Sequence, residues 1–220
     1  QKLPEELSAL QARLEAADAE AMRARLSAAR KHGQTVADAM KDLLALTAGF
    51  DALVRQQQPA RLDVHEVIKQ VISTSMPLAE DAHVKIRTQL DDSPPYVIGV
   101  AAGLHQAFFN VLLNAIQQTA ESKLRREGHI LVSVGIASRD AGRMAQIRVC
   151  DDGPGIHATQ RGRIFDLGFT TRKGGSGIGL FITRHLVESL RGRISIEESH
   201  VLWGTTVLIE LPLADADASR

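Results

Sequence analysis

The sequence has 220 residues, with 26 Lys and Arg against 26 Asp and Glu and a 44% hydrophobic share; zero net charge argues against a general nucleic-acid or polybasic membrane binder, and the apolar share excludes wholesale disorder. A single Cys excludes an intramolecular disulfide and a Cys-based zinc site and suits a reducing compartment. No apolar run approaches the roughly 20 residues that cross a bilayer, no signal peptide is evident, and the leading Gln reads as the start of a fragment.

Residues 1–58 are rich in Ala, Leu, Arg, Glu and Gln and poor in β-branched residues, which favours helix. Pro4 suits a first helical turn, and Glu5 and Glu6 complement the positive helix end. One apolar series runs Leu3, Leu7, Leu10, Leu14. A second runs Met22, Leu26, Ala29, Gly33, Val36, Met40, Leu43, Thr47, Phe50, Val54, in steps of four and three. The two are out of phase by one residue near Ala17 to Glu20. A helical hairpin turning there and one long helix with a stutter both fit. The second series is too long and too narrowly striped for its short partner, so a dimeric four-helix bundle is expected to bury it.

Gln56-Gln57-Gln58-Pro59 ends that zone, and a second domain is expected over 59–220. Val64 to Ile72 reads as helix. Val84 to Leu90 alternates with period two and reads as strand, followed by a break at Ser93-Pro94-Pro95. Leu104 to about Ala120 reads as an apolar helix. Ile130 to Ile136 and Gln146 to Cys150 read as strands, Ile178 to Leu190 as helix, and Arg193 to Glu197 and Thr205 to Leu211 as closing strands. Strands and helices mix without a βαβ repeat, so the fold class is α+β, a helical element followed by a sandwich.

Four segments of this second zone carry chemistry. Asn110 and Asn114 share one face of a predicted apolar helix. Buried amides need partners, so the pair is either a polar helix face or a hard oxygen donor suited to Mg²⁺ that stays largely bound to water and phosphate. Asp151-Asp152-Gly153-Pro154-Gly155 follows a strand. It is an ordinary turn signal, or a fixed carboxylate beside a backbone that a flat ligand can approach. Gly174-Gly175-Ser176-Gly177-Ile178-Gly179-Leu180 opens a helix, where backbone N–H groups suit phosphate. It follows a loop and lacks the Gly-Lys-Ser/Thr ending, so neither the dinucleotide nor the P-loop pattern fits. Gly204-Thr205-Thr206-Val207 enters the last strand and alone is a turn.

In this order the four segments resemble the nucleotide boxes of the gyrase, heat-shock chaperone, histidine kinase and MutL ATPase superfamily. Arg163-Ile164-Phe165-Asp166-Leu167-Gly168-Phe169-Thr170-Thr171-Arg172 resembles the F box of sensor histidine kinases. The run from Phe169 to Leu180, with Asn114-Ala115-Ile116-Gln117, is similar to the nitrogen-regulation subtype. The resemblance covers about residues 61–213. It implies a histidine kinase-like ATPase (Bergerat) sandwich with ATP and Mg²⁺ as cofactors. Asn114 would hold Mg²⁺. Asn110 stands where gyrase-like ATPases carry a water-activating Glu, and an amide is a poor base, so phosphoryl transfer fits better than hydrolysis. Asp151 would accept from the adenine amino group, with Thr205 helping through a water. Gly153, Gly155 and Ile156 would pass the base. Gly175, Ser176, Gly177, Ile178, Gly179 and Leu180 would form the lid and line the phosphates with Gln117, Thr170 and Thr171. Arg172, where the family usually has Lys, would be a phosphate-side cation, and Phe165 and Phe169 would anchor the lid.

The helical zone resembles the dimerisation and phosphotransfer hairpin of such kinases, which carries H-[E/D]-x-x-x-P. No histidine within 1–220 fits it: His65-Glu66 lacks the Pro, and His32 lies on the second helix. If Pro4 were the Pro of that box, the acceptor would precede Gln1, although Glu5 and Glu6 depart from the usual apolar continuation. Alternatively the hairpin has lost its acceptor and only dimerises. The resemblance thus implies a cytoplasmic protein-histidine kinase core, including the cytoplasmic part of a membrane-bound sensor. It would act as a homodimer that passes phosphate from ATP to a histidine and then to a response-regulator Asp. The alternatives are a regulatory ATP-binding module and a hydrolysing gyrase- or MutL-like ATPase.

Overall fold

The computed structural model describes residues 58–122, 127–139, 142–172, 175–201 and 203–214, together with Met22 and Arg25. Two units divide the chain, Gln1–Gln56 and Gln57–Arg220, and the architecture below is that of the second. The helical hairpin expected over 1–58 lies outside the described residues, apart from Met22 and Arg25, which are helical and exposed. Lys173 and Gly174 also lie outside them.

The elements run β1 (Ala60–Asp63), α1 (Val64–Asp81), β2 (Val84–Leu90), β3 (Tyr96–Gly99), α2 (Ala101–Glu121), β4 (Gly128–Arg139), β5 (Gly142–Asp151), α3 (Ala158–Arg161), α4 (Gly179–Ser189), β6 (Arg193–His200) and β7 (Gly204–Pro212). Asp63 caps α1, accepting from the His65 and Glu66 N–H groups at 2.8 and 3.2 Å. The helix runs nine residues past its expected end at Ile72, because small residues continue the buried stripe: Val64, Val67, Ile68 and Val71 give way to Ser75 and Ala79. His65 is buried in its first turn, a structural position.

A five-stranded sheet has the order β2-β4-β5-β7-β6, parallel between β2 and β4 and antiparallel elsewhere; β1 and β3 pair apart as a two-stranded sheet. One face is apolar and packs on the helices. Val132, Val134, Ile147, Val149, Val207 and Ile209 meet Val67 and Val71 of α1, Leu104, Phe108, Val111 and Leu112 of α2, and Val187 of α4 in a single core. The opposite face is polar, where Arg148 grips Glu197 through two N–H groups at 2.6 and 2.9 Å. The fold is the α+β sandwich the sequence predicts. Its consequence for function is geometric. The apolar face ends in polar residues at one edge, where β5 and β6 finish and β7 begins, and α2 runs alongside with its amides turned to the same edge.

Candidate nucleotide-binding site

A cleft of about 470 Å³ opens there, walled by α2, the ends of β5, β6 and β7, and the segments around Phe169–Arg172 and Gly175–Leu180. Its size suits a small-molecule ligand. Apolar and polar groups share the wall. Leu113, Ile156, Ile164, Ile196 and Val207 offer flat apolar surface, while Asn110, Asn114, Gln117, Gln118, Asp151 and Thr205 converge on it.

At one end stands Asp151, the last residue of β5, and buried. Its Oδ1 accepts from the Gly153 N–H at 2.9 Å, and the Thr205 N–H also donates to the carboxyl group. Burial pushes its pKa up to about 6, and these two N–H groups oppose that rise. The chain then turns through Gly155 at φ 72; a Cβ there would stand 2.1 Å from the His200 carbonyl oxygen. Only glycine fits both restraints. Ile156 follows, its N–H donating to the Ser199 hydroxyl at 2.7 Å.

At the other end α4 begins. Its N-cap residue, Ile178, makes no side-chain cap hydrogen bond, so the first N–H groups of the helix are left for another acceptor, the arrangement that binds anions. Gly177 makes the turn into it at φ 65, and its carbonyl accepts from the Gly168 N–H at 3.0 Å; a Cβ there would stand 2.4 Å from the Gly168 carbonyl carbon. Asn110 ties this end to α2: its Nδ2 donates to the Gly179 carbonyl at 3.1 Å, while its Oδ1 accepts from Gln106 at 2.7 Å. Arg172 lies over α2, where Nε donates to Glu121 at 2.7 Å and a terminal nitrogen donates to Gln117.

Of the residues singled out from sequence, the cleft brings together Asn110, Asn114, Gln117, Asp151, Gly155, Ile156, Phe169, Thr170, Thr171, Arg172, Gly175, Ser176, Gly177, Ile178, Gly179, Leu180 and Thr205. Gly153 and Phe165 stand back from it. Gly153 serves Asp151 from behind, and Phe165 packs against the core. Sequence reasoning missed Leu113, Gln118, Gln160, Ile164, Ile196 and Val207. The strand period carries a signal for Ile196 and Val207, which are paired across β6 and β7 and face inward.

The donors present fit a Mg-nucleotide. Among the described residues no group of three His, Cys, Asp or Glu could hold a metal ion. A cation here would therefore rest on Asn114 and the phosphates of its ligand, the manner in which Mg²⁺ is commonly held.

Residues 99–215 match the family described as histidine kinase-, DNA gyrase B-, and HSP90-like ATPase. The chain belongs to that family. Among curated relatives it is 35% identical over 140 residues to the sensor protein TdiS of Thauera aromatica, covering 62% of this chain and 24% of that one. It is 33% identical over 163 residues to the sensor histidine kinase AruS of Pseudomonas aeruginosa, covering 71% and 16%. Among solved structures it is similar to the mycobacterial sensor histidine kinase MprB, with a TM-score of 0.60 at 25% identity, over 70% of this chain and 97% of that one. The fold is thus that of histidine kinase catalytic domains. The chain spans about a quarter or less of the length of these two curated relatives.

Proposed function

We propose that the chain is the ATP-binding kinase core of a two-component sensor histidine kinase. The observation that carries this is the cleft itself. A buried carboxylate stands at one end, an uncapped helix N-terminus follows a glycine turn at the other, and a row of amides along α2 lies between them. Asp151 accepts from the adenine amino group. The α4 N–H groups take the phosphates, with Arg172 as a nearby cation. Asn114 would hold Mg²⁺, which would screen the phosphate charge. Asn110 has both ends of its amide engaged by Gln106 and Gly179. It acts as a strut between α2 and the lid and has no basic group with which to activate water, which favours transfer over hydrolysis.

The acceptor is a histidine on a helix preceding Pro4, by the alignment of Gln1 to Pro4 with the end of the H-box. Residues 1–58 form the homodimerising hairpin. Met22, a seam position, is 61% exposed in the single chain, as suits a residue covered by a second copy. The phosphoryl group then passes to a response-regulator Asp, and the protein works in the cytoplasm. The run from Phe169 to Leu180 supports a nitrogen-regulation-like subtype. The test incubates the chain with γ-labelled ATP and a longer chain bearing the preceding helix. Acid-labile label on the longer chain is the expected result. Free phosphate alone would mean a hydrolase, and ATP binding without either product a regulatory module.

A further inference from the structure

The polar row at the end of the sheet gives a part to a residue outside every nucleotide motif. Along β6, Ile194 faces Ile209 and Ile196 faces Val207; a bulge between Ile196 and Glu198 then places Ser199, not Glu198, opposite Thr205. Bulges re-aim side chains beside functional sites. Thr205 in turn faces Asp151 across β5 and β7. Ser199 is 1% exposed, and Thr205 and Asp151 are 6% exposed each.

Distances favour one direction for this row. A serine hydroxyl has one hydrogen to give. Ser199 Oγ accepts from the Ile156 N–H at 2.7 Å. Its own hydrogen has two outlets, Thr205 Oγ1 at 3.0 Å and the Gly204 carbonyl at 3.4 Å. Only the first lies within the usual O–H···O range, which ends near about 3.0 Å. With Ser199 as the donor of this pair, the hydrogen of Thr205 Oγ1 is left for the cleft that Thr205 lines. The Thr205 N–H is already committed to Asp151. The edge so presents an acceptor, Asp151, beside a donor, the Thr205 hydroxyl.

We infer that Ser199 is a specificity-determining positioning residue: by accepting from Ile156 and donating to Thr205, it holds the Thr205 hydroxyl as a donor to the base, directly or through a water. That pattern matches a 6-aminopurine, whose amino group donates and whose N1 accepts. A 6-oxopurine offers the reverse, an oxo acceptor and an N1–H donor, and would leave site groups unpaired. Arg161 holds the strand in place by donating to the Ser199 carbonyl. The inference rests on the nucleotide reading above.

The test measures ATP and ITP binding by calorimetry on the full chain, with melting curves, for Ser199→Ala, Thr205→Val and the pair. Ser199→Ala is expected to weaken ATP by roughly 10-fold and ITP by less than about 2-fold, so that their ratio falls by about 5-fold or more. Thr205→Val lowers the ratio similarly, and Ser199→Ala added to it changes the ratio no further. Equal weakening of both nucleotides, or an unchanged ratio, overturns the inference, because a purely structural serine would produce it. If Ser199→Ala does not fold, Thr205→Val decides: a retained ratio overturns the inference and a lowered one supports it. An unsubstituted chain that binds ATP and ITP equally also overturns it. A chain that binds neither brings down the proposed function first and this inference with it.

Discussion

At the end of the cleft proposed for the base, Asp151, Thr205 and Ser199 stand opposite one another on three neighbouring strands. At the end proposed for the phosphates the walls are loop segments around Phe169–Arg172 and Gly175–Ile178, tied to α2 by Arg172 and, through Gly179 at the start of α4, by Asn110. The first arrangement is anchored by the sheet ladder and cannot shift without breaking it. The second is held by contacts that a ligand oxygen can replace. Magnitudes separate them too. A buried hydrogen bond to a charged group contributes about 1.5–3 kcal/mol. Arg172 and Glu121 are 27% and 51% exposed, and such a pair contributes about 0–1 kcal/mol. The base end is therefore expected to set affinity and choice of base, and the phosphate end to move during turnover.

The largest effect that would break this contrast comes from Asp151→Asn. ATP affinity should fall by roughly 30- to 150-fold in calorimetry, the worth of about 2–3 kcal/mol. Unchanged affinity would sink the adenine assignment. Next come two glycines with similar backbone angles and different neighbours. A Cβ at Gly155 meets the His200 carbonyl at the end of β6, and one at Gly177 meets loop atoms of Gly168 and Phe169. Gly155→Ala should destabilise the fold by about 1–3 kcal/mol in melting curves. Gly177→Ala is strained as well, but its neighbours are loop backbone, so it should cost less stability than Gly155→Ala and weaken ATP binding more. Equal losses of stability would erase the distinction between the two ends.

The pH dependence is smaller and has two opposite signs. The Asp151 carboxyl titrates at about 6 in the fold, against 3.8 for the ordinary group. The folded chain therefore binds the extra proton between those values. Its stabilising contribution is full below the lower value and is lost as pH rises through about 6. ATP affinity should run the other way, falling by up to about tenfold per pH unit below the break as the carboxylate is protonated. Melting curves and titrations on either side of the break should show the crossing, and Asp151→Asn should abolish both slopes. Smallest is Glu121→Gln, which removes the charged one of the two contacts that hold Arg172 on α2, leaving Gln117, and should tighten ATP binding by about two- to threefold. No gain would mean that this ion pair does not compete with the phosphates.

Much of this was legible because the residues concerned obey local rules. β2 is found over Val84 to Leu90 as its alternation predicts, and α2 follows an apolar stripe in which Asn110 and Asn114 stand out. β1 and β3 escaped notice because each is four residues long and beside prolines. Their extended state comes from pairing with each other, Ala60 opposite Gly99 and Asp63 opposite Tyr96. The second half of α1 was hidden by Ser75, Ala79 and Pro77, which mark no apolar face in sequence and yet continue one in space. In the site, glycines and single polar residues in turn-like motifs were visible. Ser199 was not, because a strict alternation would have turned Glu198 inward, and only the bulge reverses that. The Arg172 contact with Glu121 joins positions 51 residues apart, and no local pattern announces it.

The turn joining β6 to β7 holds the chain's one tryptophan. Trp203 is 80% exposed, and its backbone N–H donates to the His200 carbonyl at 2.9 Å. It stands between the strand ends that carry Ser199 and Thr205. The molecule thus contains its own optical reporter, a single indole in the turn beside the strand ends proposed to meet the base. Rapid mixing with nucleotide should register arrival of the base as a change in indole emission. An emission that stays flat on nucleotide addition would mean that the base does not reach this turn.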